Sequence, residues 1–211
     1  MLSIILVIAL SYLVGSIPTS IITGKILKGI DIRQHGSGNA GATNVFRVLG
    51  WKPGVFVMLF DIFKGFAATW WIARIAVGPV PVNTGIMMLI AGCAAIFGHI
   101  WTVFAGFKGG KGVGTAAGMI IALYPLTLLI YLGVFIIVFL ATRIVSLSSI
   151  TAAISLPIVL TIFRYVVKIP VSLPVYIFGF FASALIIYTH RSNIKRLING
   201  TENRFGKKKT A

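Results

Sequence analysis

The sequence predicts an all-α, polytopic membrane protein of seven transmembrane helices, with its N-terminus outside and its C-terminus in the cytoplasm. Three observations carry this prediction. Of 211 residues, 58% are hydrophobic and 10% charged, against roughly half and a quarter in soluble domains. Apolar runs of about 20 residues, enough to cross a hydrocarbon core of about 30 Å, recur along the chain. The lysines and arginines, which set a formal net charge of +16, stand in the breaks between those runs.

The runs cover residues 2–23, 53–76, 84–104, 148–167 and 171–190, with one longer stretch over 113–142. The first has no basic segment before it and no Ala-x-Ala pattern after it, so it reads as a retained helix rather than a signal peptide. In the longest stretch, Tyr124-Pro125 either kinks one helix or separates a short helix from a second full one. Charge decides. With seven helices, one face holds Lys25, Lys28, Arg33, Arg47, Lys52, Lys108, Lys111, Arg143 and the seven basic residues from Arg191 onward, fifteen in all. The other face holds Arg74, Arg164 and Lys168, and Lys64 lies within the membrane. With six helices the same charges divide nine and nine, so the positive-inside rule selects seven. This places the loops near 31–47, 105–115 and 143–149 together on the cytoplasmic side, followed by a basic tail from about residue 191. No internal repeat and no composition break divides the chain, so 1–211 reads as a single membrane-embedded domain. Topology and anionic lipid account for the basic residues, and no nucleic-acid partner is expected. The single cysteine, Cys93, excludes an intrachain disulfide, and metal-ligand spacing is absent.

Residues 36–44 read Gly-Ser-Gly-Asn-Ala-Gly-Ala-Thr-Asn. Glycines such as Gly38 and Gly41 let consecutive N–H groups converge on an anion, and Ser37, Asn39, Thr43 and Asn44 add neutral donors. A helix beginning near Thr43 adds its N-terminal dipole, with Arg47 one turn along. The competing reading is a flexible turn between spans. The segment also matches Gly-x-Gly-x-x-Gly, with Asp61 twenty residues beyond Gly41. That match is a decoy, because a dinucleotide fingerprint requires a preceding strand and a βαβ unit.

The second loop, Phe107-Lys108-Gly109-Gly110-Lys111-Gly112, lacks the Ser or Thr of a Walker A loop, yet two lysines among glycines suit a phosphate. Gly106, Gly110, Gly114 and Gly118 also recur every four residues, as on a packed membrane helix. We assign Gly114 and Gly118 to packing and Lys108 to Gly112 to anion contact. Asp61 and Lys64 share one helix face at i, i+3 inside a span, about 12 Å from its end, and His99 lies at similar depth. Such groups pair and face the protein interior, either positioning the loops or taking part in catalysis. Arg143, Ser146, Ser148 and Ser149 form either a helix cap or a binding wall. The segment from His190 through Asn193 to Leu197 reads as a basic juxtamembrane helix.

Taken in order, these segments resemble the bacterial acyl-phosphate:glycerol-3-phosphate acyltransferase family. The match runs from Gly15-Ser16-Ile17-Pro18 through Asp31-Ile32-Arg33, the loop to Arg47, Leu59-Phe60-Asp61-Ile62-Phe63-Lys64-Gly65, Gly98-His99, the second glycine loop and Arg143 to Ser149. It ends with His190-Arg191, Asn193, Arg196, Gly200 and Glu202. Thr102 and Gly114 depart from the pattern, where proline and alanine are usual. The resemblance implies transfer of a fatty acyl group from acyl phosphate to glycerol-3-phosphate, giving 1-acylglycerol-3-phosphate and inorganic phosphate, the first step of phospholipid synthesis. It implies no metal or nucleotide cofactor, and we expect a monomer that meets membrane lipid. On this basis Ser37, Asn39, Thr43, Asn44, Arg47, Lys108, Lys111 and His190 are expected to be catalytic. Gly38, Gly41, Gly109, Gly110, Gly112, Arg143, Ser146, Ser148, Asn193 and Glu202 are expected to bind substrate, and Asp61, Lys64 and His99 to support them. The alternative is a transporter or exchanger of a phosphorylated small molecule, which would normally place its site at the midplane between repeated halves.

Overall fold

The computed structural model describes residues 1–206, and every regular element among them is helical. The residues fall into two compact units, Met1–Pro125 and the chain from Leu126 onward. The first unit contains α1 (Leu2–Gly15), α2 (Thr19–Lys28), α3 (Ala42–Leu49), α4 (Trp51–Trp70), α5 (Thr84–Ile100) and α6 (Val113–Leu123). The second contains α7, which starts at the boundary (Pro125–Thr142), then α8 (Val145–Thr161), α9 (Leu173–Thr189) and α10 (Arg191–Ile198).

Five stretches are long and apolar enough to cross a bilayer: Leu2–Lys28, Trp51–Arg74, Thr84–Ala105, Pro125–Thr142 and Val145–Val167. The bent pair α9 and α10, turning by 62°, makes a sixth. The protein is therefore a multi-pass membrane protein. The 113–142 stretch divides at Tyr124 (φ −147°, ψ 75°), because the residue before a proline is pushed out of helical space. Its first part, α6, has 11 residues, about 16 Å, or half of a crossing.

The first span, expected as one helix over 2–23, is two helices. Pro18 has no N–H to give and its ring would collide with the preceding turn, so α1 stops and α2 starts again at Thr19. At the break the Ile17 carbonyl, in neither helix, accepts the Thr19 N–H at 3.0 Å and can also bond to a neighbouring helix. Between membrane helices, apolar burial adds little, and close approach through small residues takes its place. A Cβ added to Gly65 of α4 would lie 2.0 Å from the Thr115 carbonyl oxygen of α6, and one on Gly118 of α6 1.9 Å from that of Ile62. Likewise Gly15 of α1 abuts the Ala95 carbonyl and Gly98 of α5 abuts that of Tyr12. These contacts lock α4 to α6 and α1 to α5. In the second unit α8 holds Pro157, widens into a π-helical turn over Ile162–Val167 and packs along α9, where Gly179 meets Leu160.

Candidate functional site

The first glycine loop is built on a small apolar footing. Ile32, Val45 and Val57 are each 0% exposed and join the loop, α3 and α4. Asp31 caps a short 3-10 turn, accepting the Arg33 N–H at 3.0 Å, and the Arg33 guanidinium folds back to the same carboxylate at 2.7 Å. These hydrogen bonds hold the Asp31 carboxyl at about 2, well below the usual range. Arg33 Nη1 also donates to the Ala105 carbonyl at 2.8 Å and so clasps the first loop to the second. Gly36 (φ +62°) and Gly38 (φ +73°) take left-handed turns that a side chain would disfavour. Asn44, at 1% exposure, accepts the Ser37 N–H at 2.8 Å and donates to the carbonyls of Ile32 and His35 at 2.9 Å each. Its amide holds the loop's curl. The helix expected near Thr43 starts at Ala42 with Gly41 at its cap, and carries Thr43 and Arg47, both half-buried. Ser37 and Asn39 are half-buried in the loop itself.

The second loop is pinned to the end of α5, where the Gly109 N–H donates to the Ile100 carbonyl and the Gly110 N–H to that of His99, both at 3.0 Å. Gly112 (φ +83°) starts α6. Gly118 serves helix packing, and a Cβ on Gly114 would stand 3.2 Å from that of Asp61. Lys108 is exposed and Lys111 half-buried. Thr102, in the family's proline position, donates to the Ser16 carbonyl and joins the turn after α5 to the break after α1.

Beneath both loops lies a buried charged cluster. Lys64 Nζ stands 2.8 Å from Asp61 Oδ1 and donates to the Ile17 carbonyl at 3.1 Å, and His99 Nδ1 stands 3.5 Å from the same carboxylate oxygen. Lys64 is 2% exposed, and an ion so deeply placed is tolerable only with such partners. Ala40, Asp61, Lys64, His99, Gly109 and Gly110 share the lining of one narrow cleft.

The second unit carries its own polar cluster. Glu202, whose side chain is 4% exposed, accepts Ser146 Oγ at 3.0 Å, Asn193 Nδ2 at 2.8 Å and Arg196 Nε at 2.7 Å. Burial works against its charge, but these hydrogen bonds hold its pKa below the ordinary value. Ser148 and Ser149 bond back to the carbonyls of Ile144 and Val145, and no side chain caps α8. Arg143 (φ +56°) is exposed, and its carbonyl accepts the Phe205 N–H at 2.7 Å. His190 is 2% exposed, with Nδ1 2.8 Å from the Ile186 carbonyl. Lys207, Lys208 and Lys209 lie outside the described residues.

The structure thus brings the first loop, through Arg33 and Ala40, against Lys108, Gly109 and Gly110 of the second over Asp61, Lys64 and His99 in one unit; Ser37, Gly38, Asn39, Gly41 and Asn44 lie in or hold the first loop, Thr43 and Arg47 follow on α3, and Lys111 and Gly112 lead into α6. The structure gathers Ser146, Asn193 and Glu202 in the other. Sequence reasoning missed Arg33 as the clasp between loops and the Ile17 carbonyl as the lysine's second partner. Pro18 was the available signal for the second, since a proline ends the helix and leaves the carbonyls at the break outside its regular ladder.

The family model described as glycerol-3-phosphate acyltransferase matches residues 5–200, across both units. Glycerol-3-phosphate acyltransferase of Chlorobium phaeobacteroides is 49% identical, with 97% of each chain covered. That of Chlorobaculum tepidum is also 49% identical, over 99% of this chain and 100% of the relative. The fold is similar to the crystal structure of PlsY, an integral membrane glycerol 3-phosphate acyltransferase, in its glycerol 3-phosphate form. The TM-score is 0.81 at 43% identity, with 97% of this chain and 96% of that one covered. A second such structure, the lysophosphatidic acid form, gives a TM-score of 0.79 at 40% identity over the same shares.

Proposed function

This chain belongs to the glycerol-3-phosphate acyltransferase family and is an acyltransferase of phospholipid synthesis, and we propose that its donor is a fatty acyl phosphate and its acceptor the 1-hydroxyl of glycerol-3-phosphate. The products are 1-acylglycerol-3-phosphate and inorganic phosphate. The observation that carries this reading is the clasp of Arg33 between the two glycine-rich loops, segments that with the start of α3 carry hydroxyls, amides, backbone N–H groups and three further cations. Two phosphates and an oxyanion are the charges this reaction must neutralise. Solved relatives carry glycerol 3-phosphate and lysophosphatidic acid, an acceptor and a product of this chemistry.

In the first unit we assign Ser37, Gly38, Asn39, Gly41 and Thr43 to the acyl phosphate and the carbonyl oxygen that becomes the oxyanion. Arg47, Lys108, Gly109, Gly110, Lys111 and Gly112 take glycerol-3-phosphate, and Asn44 acts by holding the loop. In the second unit Arg143, His190 and Asn193 are assigned to phosphate recognition, with Ser146, Ser148 and Glu202 supporting them. The hydroxyl oxygen attacks the acyl carbon, the carbon–oxygen bond to phosphate breaks, and phosphate leaves with the electron pair. The proton goes to the acceptor's own phosphate, whose second pKa lies near 6 by analogy with phosphoserine. Among the protein's carboxylates Asp31 is bound by Arg33, Asp61 by Lys64 and Glu202 by Arg196, so each is already committed.

The whole chain, 1–211, works as one monomeric acyltransferase domain that crosses the membrane seven times. Its N-terminus is outside, its C-terminus and loops are cytoplasmic, and the acyl chain lies among apolar helices, surroundings as apolar as the lipid it comes from. Purified protein in detergent, given radiolabelled glycerol-3-phosphate and palmitoyl phosphate, yields labelled 1-acylglycerol-3-phosphate and one phosphate per ester. Product from another activated acyl donor but none from palmitoyl phosphate would overturn the donor. No ester from any donor, with binding of glycerol-3-phosphate retained, would favour transport.

A further inference from the structure

Of the buried cluster, His99 abuts the second loop and shares one cleft with Ala40 of the first. Its Nδ1 faces Asp61 at 3.5 Å, its backbone carbonyl accepts the Gly110 N–H at 3.0 Å, and its ring lies against Gly110. A Cβ built on Gly110 would stand 2.1 Å from His99 Nε2 and 3.0 Å from the Ala40 carbonyl oxygen. The imidazole edge therefore occupies the gap where the first loop at Ala40 and the second at Gly110 approach each other. Asp61 holds the ring, Lys64 holds Asp61, and the Ile17 carbonyl at the break after α1 holds Lys64. Arg33 ties the same two loops at their outer edge through Ala105. The loops thus have a polar clasp at the rim and an aromatic spacer at the base.

We propose that His99 is a positioning residue which sets the spacing between the two anion loops by wedging its imidazole against Gly110, and that it thereby governs acceptor binding rather than the chemical step. The inference rests on the reading of the second loop as the glycerol-3-phosphate loop. It has a consequence that a general structural role does not share. The residue at 110 must be glycine because the ring is there, so the two positions are coupled. Gly109 is different: its Cβ would meet the His99 carbonyl oxygen at 2.0 Å, a backbone atom that no change of side chain removes.

The test is a double-mutant cycle on purified protein in detergent, using palmitoyl phosphate and glycerol-3-phosphate, with thermal unfolding recorded for each variant. His99→Ala and Gly110→Ala are each expected to raise KM for glycerol-3-phosphate about tenfold and to change kcat less than about threefold. The double variant is expected to stay near tenfold, not the product of about a hundredfold, because deleting the imidazole makes room for the new methyl group. Gly109→Ala combined with His99→Ala is expected to show no such relief. Independent multiplication at 110, or a loss confined to kcat with KM unchanged, overturns the proposal. If His99→Ala does not fold, His99→Asn, smaller than imidazole and still able to donate to Asp61, takes its place in the same cycle. An unmodified protein that makes no ester removes the functional reading and this inference with it, a result separate from an active protein whose cycle is additive.

Discussion

At the scale of single residues, side chains assigned to the anions differ from those that shape the loops. Lys108 and Lys111 are assigned to phosphate, so replacing either with alanine removes a charged partner from a partly desolvated anion. The expected loss is about 2 kcal/mol of transition-state stabilisation, or roughly thirtyfold in kcat/KM. Near-normal kinetics in both variants would return the segment to a helix-packing ridge. Lys207, Lys208 and Lys209 serve as the contrast, since alanine there leaves the kinetics unchanged. Asn44 behaves differently, because its amide is spent on Ser37, Ile32 and His35. Asn44→Ala leaves the half-buried Ser37 N–H without its partner and takes one donor each from the Ile32 and His35 carbonyls, which keep the His35 and Gly38 N–H groups, and is expected to cost about 2 kcal/mol of stability by thermal unfolding, beyond any loss of rate. The density of Gly, Ser, Asn and Thr marked this loop in the sequence as a candidate anion site, but did not show the inward turn of Asn44. Its partners are backbone atoms, which every residue has and no sequence marks.

At the scale of elements, proline carries most of what could be read in advance. Tyr124-Pro125 divided the long apolar stretch where the chain does divide, while Pro18 marked an equally real break that the apolar pattern over 2–23 concealed. Hydrophobic runs report the bilayer's thickness and say nothing of a helix that stops and restarts within it. The junction of α8, α10 and the following segment through Glu202 was legible only as a set of polar residues; that Ser146, Asn193 and Arg196 converge on one carboxylate is long-range geometry. This junction has a pH signature. Glu202 has a folded-state pKa below its ordinary value of 4.5, so its contribution is fully present above that value and is lost as pH falls toward the folded pKa. The stability gap between the unmodified protein and Glu202→Gln, followed by thermal unfolding, is expected to be constant above about pH 5.5 and to narrow below about pH 4.5. A gap that widens on acidification would contradict the arrangement.

At the scale of the whole molecule, the asymmetric distribution of charge ties topology to chemistry. The proposed seven crossings would put fifteen basic residues on one face against three on the other, which predicts that both glycine loops and the tail lie in the cytoplasm, where a soluble phosphorylated acceptor is met. Single cysteines at Ser37, Gly112 and Lys207 are expected to react with impermeant maleimide only after cells are opened, and labelling in intact cells at Lys207 but not at the two loops would restore the six-helix count. If the acceptor's phosphate takes the proton, the acidic limb of the kcat profile moves upward with a phosphonate analogue of higher second pKa, chemistry being rate-limiting. A limb that stays in place and disappears in an alanine variant of His99 or His190 would give the base to the protein. The most direct test of acyl transfer at the basic face uses sealed membrane vesicles of defined sidedness, loaded with palmitoyl phosphate and offered radiolabelled glycerol-3-phosphate from outside. Inside-out vesicles are predicted to form labelled 1-acylglycerol-3-phosphate at once, and right-side-out vesicles only after permeabilisation. Label that accumulates unesterified within sealed vesicles, or ester formed equally at both faces, would contradict it.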